Sequence, residues 1–159
     1  MSSCAPGVRR AGAGDLDALA SLFAELLAHH DALEPAFRVR AGARERLPQL
    51  LARQLGDPDA AVFVCEEACS LVGFCGVRER RAPAALVEAS QVEIDYLAVR
   101  SDRRRRGVGR ALVEAAGAWA RSRGAERLLV RVAVRNPEGQ AFWRALGYEG
   151  FVDILQRRL

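Results

Sequence analysis

The chain has 159 residues, half of them hydrophobic and 28% charged, with a formal net charge of +4. That describes one globular domain spanning 1–159, large enough to bury a core. Its apolar runs fall far short of a membrane span and its first ten residues lack the apolar stretch of a signal peptide, so a cytoplasmic protein with no membrane partner is expected.

The basic charge is carried wholly by 24 arginines, with no lysine anywhere. The only dense group is 103–106, with Arg100 and Arg110 alongside and no interleaved aromatics for base stacking. A small anionic ligand accounts for that group more economically than nucleic acid. Cys4, Cys65, Cys69 and Cys75 have no histidine at ligand spacing. They read as buried free thiols, not as a disulfide framework or a metal site.

Taken in order, 8–11 is a short first strand closed by Gly12 and Gly14. Asp15 is placed to cap a helix with Leu16, Leu19, Ala20, Phe23, Leu26 and Leu27 on its inner face; it fades near His29 and His30, and Pro35 stops it. A second helix over about 44–55 puts Leu47, Leu50, Leu51 and Leu55 on one side, with Pro48 in its first turn. The segments 61–66 and 71–80 form an antiparallel pair across 67–70. Gly73 and Gly76 inside the second of these mark a bulge or a close approach. A loop over 81–90 leads to a strand at 91–99.

The organising stretch follows. The strand at 92–99 is broken by Ser101 and Asp102; then come Arg103 to Arg106, Gly107, Val108 and Gly109, and a helix to about Ser122 that ends at Gly124. A strand feeding a glycine-rich turn that opens a helix is a general device for holding phosphate, because free N–H groups and the positive helix end face the anion. No GxxxxGK[ST] is present, and Leu112 stands where GxGxxG needs its third glycine. Beyond it, 127–134 reads as a buried strand, Asn136-Pro137 opens a helix reaching about Leu146 with Gly147 as its C-terminal glycine, and 148–159 should return as one or two closing strands.

Arg104-Arg105-Arg106-Gly107-Val108-Gly109, with the preceding strand and the downstream Asn136 and Leu146-Gly147-Tyr148, resembles the R/Q-x-x-G-x-G/A signature of the GNAT superfamily of N-acetyltransferases. The resemblance covers most of the chain and is strongest over 89–148. It implies an α/β (α+β) GNAT fold: a mixed, mostly antiparallel sheet of about six to seven strands with a splayed parallel pair, flanked by about four helices. It also implies acetyl-coenzyme A as cosubstrate, no metal, direct transfer to an amine-bearing acceptor, and, as often in this family, a homodimer.

In that likeness Arg104, Arg105, Arg106, Gly107, Val108, Gly109 and Arg110 would bind the pyrophosphate, and Leu97, Ala98 and Val99 the pantetheine amides. The N–H of Leu97 would stabilise the oxyanion, Glu93 would take the proton, and Asn136 would touch the cofactor. Trp143 stands where the family often has a tyrosine acid, a departure that leaves the leaving thiolate without a dedicated donor. Two other readings stay open on the sequence: a coenzyme A-binding sensor that catalyses nothing, and a basic nucleic-acid-binding module. The identity of the acceptor carries no motif.

Overall fold

The computed structural model describes residues 7–85, 87 and 90–157. In chain order the elements are β1 (Gly7–Arg10), α1 (Leu16–Leu33), α2 (Ala43–Leu55), β2 (Ala60–Glu67), β3 (Ser70–Arg81), β4 (Ser90–Val99), α3 (Val108–Ser122), β5 (Arg127–Val130) and α4 (Pro137–Ala145). The strands form one sheet in the order β1-β2-β3-β4-β5, antiparallel except for the parallel pair β4 and β5. Four helices and this mixed sheet give the expected fold with five strands among the described residues, fewer than the six to seven read from the sequence.

Two apolar clusters lie on opposite faces of the sheet. On one, Leu19 and Leu22 of α1 and Leu51 of α2 pack with Val62, Val64 and Phe74. On the other, Val108, Leu112, Val113, Ala116 and Ala120 of α3 pack with Cys65, Cys75, Val77, Val92 and Ile94. The period-two pattern of β3 produces the division: Phe74 and Cys75 point to opposite faces. Both cysteines of this core are buried thiols, whereas Cys69 is exposed and Cys4 lies outside the described residues. Cys69 sits with Ala68 in the two-residue turn of the β2–β3 hairpin, both left-handed, so the tight turn turns its side chain outward.

Three further expectations change. Pro48 lies inside α2, beyond its first turn, because the helix already begins at Ala43. Leu50 is 54% exposed while Leu47 and Leu51 are buried, which narrows the inner face of α2. No strand is formed over 149–157, although closing strands were expected there. The apolar residues of that segment fall in adjacent pairs, Phe151-Val152 and Ile154-Leu155, and adjacent residues of a strand point to opposite faces. Here all four are exposed, at 57%, 73%, 69% and 91%.

The feature that positions the site is the geometry of β4. Its pairing with β5 begins at Gln91↔Arg127 and ends at Ile94↔Val130. On its other edge the register with β3 shifts, since Gly76 opposes Tyr96 while Val77 opposes Ile94. Asp95 is thus the extra residue of a β-bulge, which bends and twists a strand locally. Beyond the bulge β4 runs on to Val99 with no strand on its outer edge among the described residues. This also explains why β5 is four residues long and not the eight of 127–134.

Candidate active site

Beyond Asp95, β4 stays paired to β3 on one side and borders the gap on the other. The N–H of Arg100 donates to Val72 O at 2.8 Å. Because backbone groups alternate between the two edges of a strand, Ala98 also faces β3, and the N–H and C=O of Leu97 and Val99 face the gap. The carbonyl of Val99 accepts from Arg104 Nε at 3.2 Å, so the turn after β4 folds back onto this edge.

That turn is the first half of the site. Arg105 and Gly107 are both left-handed, with φ of 62° and 85°, and Gly107 is the N-cap of α3. Alternating hands in successive residues curl the N–H groups into a concavity suited to an anion. The first intrahelical bond runs from Ala111 N–H to Gly107 O. The N–H groups of Val108, Gly109 and Arg110 precede it and are left free by helix geometry. A side chain at Gly109 would place its Cβ 3.1 Å from the Phe142 ring of α4, so glycine lets α4 close onto the turn.

The arginines around the turn divide into two sets. Arg100 pairs with Asp102 at 2.6 Å, and Arg103 pairs with Glu67 and Asp102, both at 3.0 Å. Arg105, Arg106 and Arg110 have no ion pair among the described residues. Three uncommitted guanidinium groups beside a curled N–H array fit the charge and shape of a diphosphate.

The second half lies on the face covered by α1 and α2. The Glu93 side chain is only 9% exposed, and each of its oxygens meets an arginine: Oε2 lies 3.1 Å from Arg80 Nε and Oε1 2.9 Å from Arg131 Nε. Asp95 Oδ1 lies 3.3 Å from Arg80 Nη2, and Oδ2 3.5 Å from Arg78 Nε. Arg78 also pairs with Asp57, just after α2. Arg78, Arg80 and Arg131 were missed at the sequence level. The alternation Arg78-Glu79-Arg80 in β3 is the signal for the first two, since it puts both arginines on one face; Arg131 follows β5 with no comparable pattern.

Tyr96 occupies the same face. Its hydroxyl donates to Gln54 Oε1 of α2, and its ring makes an edge contact with Phe23 at 4.9 Å. The ring lies across Gly76, where a Cβ would come within 2.1 Å of it. Burial pushes its hydroxyl well above the ordinary phenol range.

Asn136 and Trp143 sit on α4. Asn136 Oδ1 accepts from Gly139 N–H at 3.0 Å and caps the helix. Trp143 is 8% exposed and packs edge-on against Phe142 and Tyr148, with centroids 5.1 and 5.0 Å apart. Burial pushes the Tyr148 hydroxyl up to about 12. Leu97, Val99 and the turn 104–110 border the gap, whereas Glu93 lies where β4 is still paired with β5, Ala98 is turned toward β3 and Trp143 lies in the core. His30 packs against Phe37 at the far end of α1, and burial holds its pKa below the ordinary imidazole value.

Among the described residues no three His, Cys, Asp or Glu side chains converge as a metal site, and no helix is long and apolar enough to cross a membrane.

Residues 26–148 match the model of the acetyltransferase (GNAT) family. The chain is 34% identical over 161 residues to an aminoglycoside N(6′)-acetyltransferase type 1 of Stenotrophomonas maltophilia, covering 100% of this chain and 96% of the relative. Among solved structures, the tetramutant of the BH1408 protein from Bacillus halodurans superposes with a TM-score of 0.86 at 18% identity, over 96% of this chain and 99% of the other. The aminoglycoside N-acetyltransferase AAC(6′)-Iy, solved in complex with CoA, superposes with a TM-score of 0.79 at 17% identity, over 100% and 99% of the two chains. At such identities the structural likeness speaks for the fold.

Proposed function

The chain belongs to the acetyltransferase (GNAT) family and is an N-acetyltransferase, and we propose that it moves an acetyl group from acetyl-coenzyme A directly to an amine of an aminoglycoside while both are bound. The observation that carries this reading is the gap beyond Ile94↔Val130, which has an anion-binding turn on one side and a pair of carboxylates on the other. The acceptor class rests on the Stenotrophomonas relative, which matches along the whole chain.

In this reading the N–H groups of 105–110 and the side chains of Arg105, Arg106 and Arg110 hold the diphosphate. Leu97 and the Val99 N–H face the pantetheine arm, the Val99 carbonyl being taken by Arg104 Nε, and Ala98 keeps the strand in register by bonding to β3. The Leu97 N–H is the oxyanion donor, a role that needs a fixed position and no particular side chain. Asn136 fixes the start of α4, leaving its amide nitrogen for the cofactor, and Trp143 supports the turn from below through Phe142.

The acceptor sets the size of the remaining task. A primary alkylamine with a pKa of about 10.4 is neutral in only about one molecule in 2,500 at pH 7, a deficit of roughly 4.6 kcal/mol. In this reading a carboxylate of β4 takes that proton, and Glu93 is the residue the family resemblance points to. The departing thiolate, with a thiol pKa near 8.5 by analogy with cysteine, is stable enough to leave without a dedicated acid.

A thiol-release assay across a panel of amines tests the reading. Aminoglycosides bearing a 6′-amine should release free thiol from acetyl-coenzyme A, and their 6′-hydroxyl analogues should not. Equal rates with both, or release with neither, would remove the acceptor class.

A further inference from the structure

We propose that Arg131 and Arg135 occupy the acceptor's cation sites until the acceptor arrives: two of its ammonium groups replace their guanidinium groups at Glu93 and Glu34. The inference rests on the reading of the chain as an aminoglycoside N-acetyltransferase and concerns how a polycationic acceptor gains its place.

The arrangement follows from the end of β5. That strand stops at Val130, and 131–136 continues with neither strand nor helix. The segment leaves the sheet where the gap opens, because the last β4–β5 pair is Ile94↔Val130. Its backbone is held at two points: Val132 packs against the core on the α3 side, and Asn136 caps α4. Arg131 reaches the other side, where its Nε lies 2.9 Å from Glu93 Oε1. Arg135 Nη1 lies 3.4 Å from Oε2 of Glu34, just after α1. Their Cα atoms are at most about 14 Å apart along the chain, a span that an acceptor of oligosaccharide size covers.

The two members of each pair differ in freedom. The Arg131 and Arg135 side chains are 71% and 70% exposed, whereas those of Glu93 and Glu34 are 9% and 22% exposed. Neither arginine has another ion pair among the described residues. A long, solvated side chain can swing out by a change of rotamer, with no movement of the backbone. The carboxylates stay behind, and a buried carboxylate left without a cation is costly. An incoming ammonium removes that cost.

Arg80 lacks the same freedom, because it bridges two carboxylates, Glu93 at 3.1 Å and Asp95 at 3.3 Å. With Oε2 of Glu93 on Arg80 and Oε1 on Arg131, an ammonium that is to pair with Glu93 takes the place of Arg131. The charges agree. Asp57, Glu93 and Asp95 face Arg78, Arg80 and Arg131, so the relay is neutral while Arg131 is in place and has an excess negative charge once it leaves. The exchange is a binding step: no proton moves and no covalent bond changes.

Calorimetry of a 6′-amine aminoglycoside binding to the protein loaded with coenzyme A tests this, since no acetyl group is present to transfer. Arg131→Ala should bind the aminoglycoside about fivefold tighter than the wild type, and Arg135→Ala about twofold tighter, because the internal competitor is gone. An amino sugar with a single primary amine should gain from Arg131→Ala alone. Arg131→Lys, which keeps a charge at the site, should stay near the wild-type affinity. Each alanine variant should melt below the wild type without acceptor, and the difference in Tm should shrink at saturating aminoglycoside. Should Arg131→Ala not fold, Arg131→Gln, which retains the stem, takes its place. Variants that bind the aminoglycoside no tighter than a wild type that still acetylates it overturn the exchange and leave the functional reading standing. A wild type that neither binds nor acetylates any amine removes that reading, and the exchange falls with it.

Discussion

The two sides of the β4–β5 gap are built from different materials. On the α3 side the proposed binding groups are backbone N–H groups, fixed by a left-handed Gly107 and the start of a helix. On the α1–α2 side they are side chains from β3, β4, the turn after α2 and the segment after β5, held together by a relay of ion pairs. Backbone sites depend on a few conformationally special residues and tolerate changes in side chain. Side-chain sites depend on register, on what each long arginine reaches, and on solvent access. The two halves should therefore fail differently when perturbed.

The largest expected effect is on the acceptor side. Gly76→Ala places a Cβ 2.1 Å from the Tyr96 ring, so the ring must leave its seat between Phe23 and Phe74. Overpacking of this kind costs about 1–3 kcal/mol. For a domain of this size Tm should fall by roughly 2–4 °C per kcal/mol. Transfer should fall with it while acetyl-coenzyme A affinity, read by calorimetry, holds. Loss of affinity with transfer intact would break the division.

On the cofactor side, Gly107→Val forces a β-branched residue to a φ of 85°. The left-handed conformation costs roughly 1–2 kcal/mol. Acetyl-coenzyme A affinity should drop by about tenfold or slightly more, as 1.4 kcal/mol is tenfold. Calorimetry reads this, and the Tyr96 side should be unaffected.

Asn136→Ala separates helix capping from cofactor contact. Losing the bond to Gly139 N–H should cost about 1 kcal/mol of stability. Asn136→Asp keeps the cap, so any fall in cofactor affinity that it shares with Asn136→Ala measures the amide's contact alone.

The smallest effects should come from Arg105→Ala and Arg106→Ala. Each removes an exposed charge and leaves the N–H array in place, so affinity should fall only a few-fold, and less at high salt. A loss larger than that of Gly107→Val would make side chains, not backbone, the main anion holders.

The same division explains what was legible in the sequence. The strand, turn and helix of 92–122, the hairpin of β2 and β3, and the capping of α4 by Asn136 were readable because each is set by local residues: glycines at left-handed positions, period-two alternation, an asparagine before a proline. The acceptor side was only half readable. Glu93 was placed in the right strand, but nothing local tells that Arg131 reaches it or that Tyr96 lies across Gly76. Gly76 marked a bulge or a close approach, but that the extra residue is Asp95 depends on the register of β3 against β4. The 148–159 segment misled because apolar residues at 148, 152 and 154 suit a strand, yet no strand forms over 149–157 and Val152 and Ile154 are exposed.

The central claim is that the chain joins the two sides of the gap in one reaction, and the stoichiometry of a single incubation tests it most directly. The protein is mixed with acetyl-coenzyme A and a limiting aminoglycoside bearing a 6′-amine. Free thiol is then counted against acetylated amine by mass spectrometry. The account predicts one acetylated amine for every thiol released and negligible thiol without the amine. Thiol release that proceeds without an acetylated product, or no release at all, would contradict it.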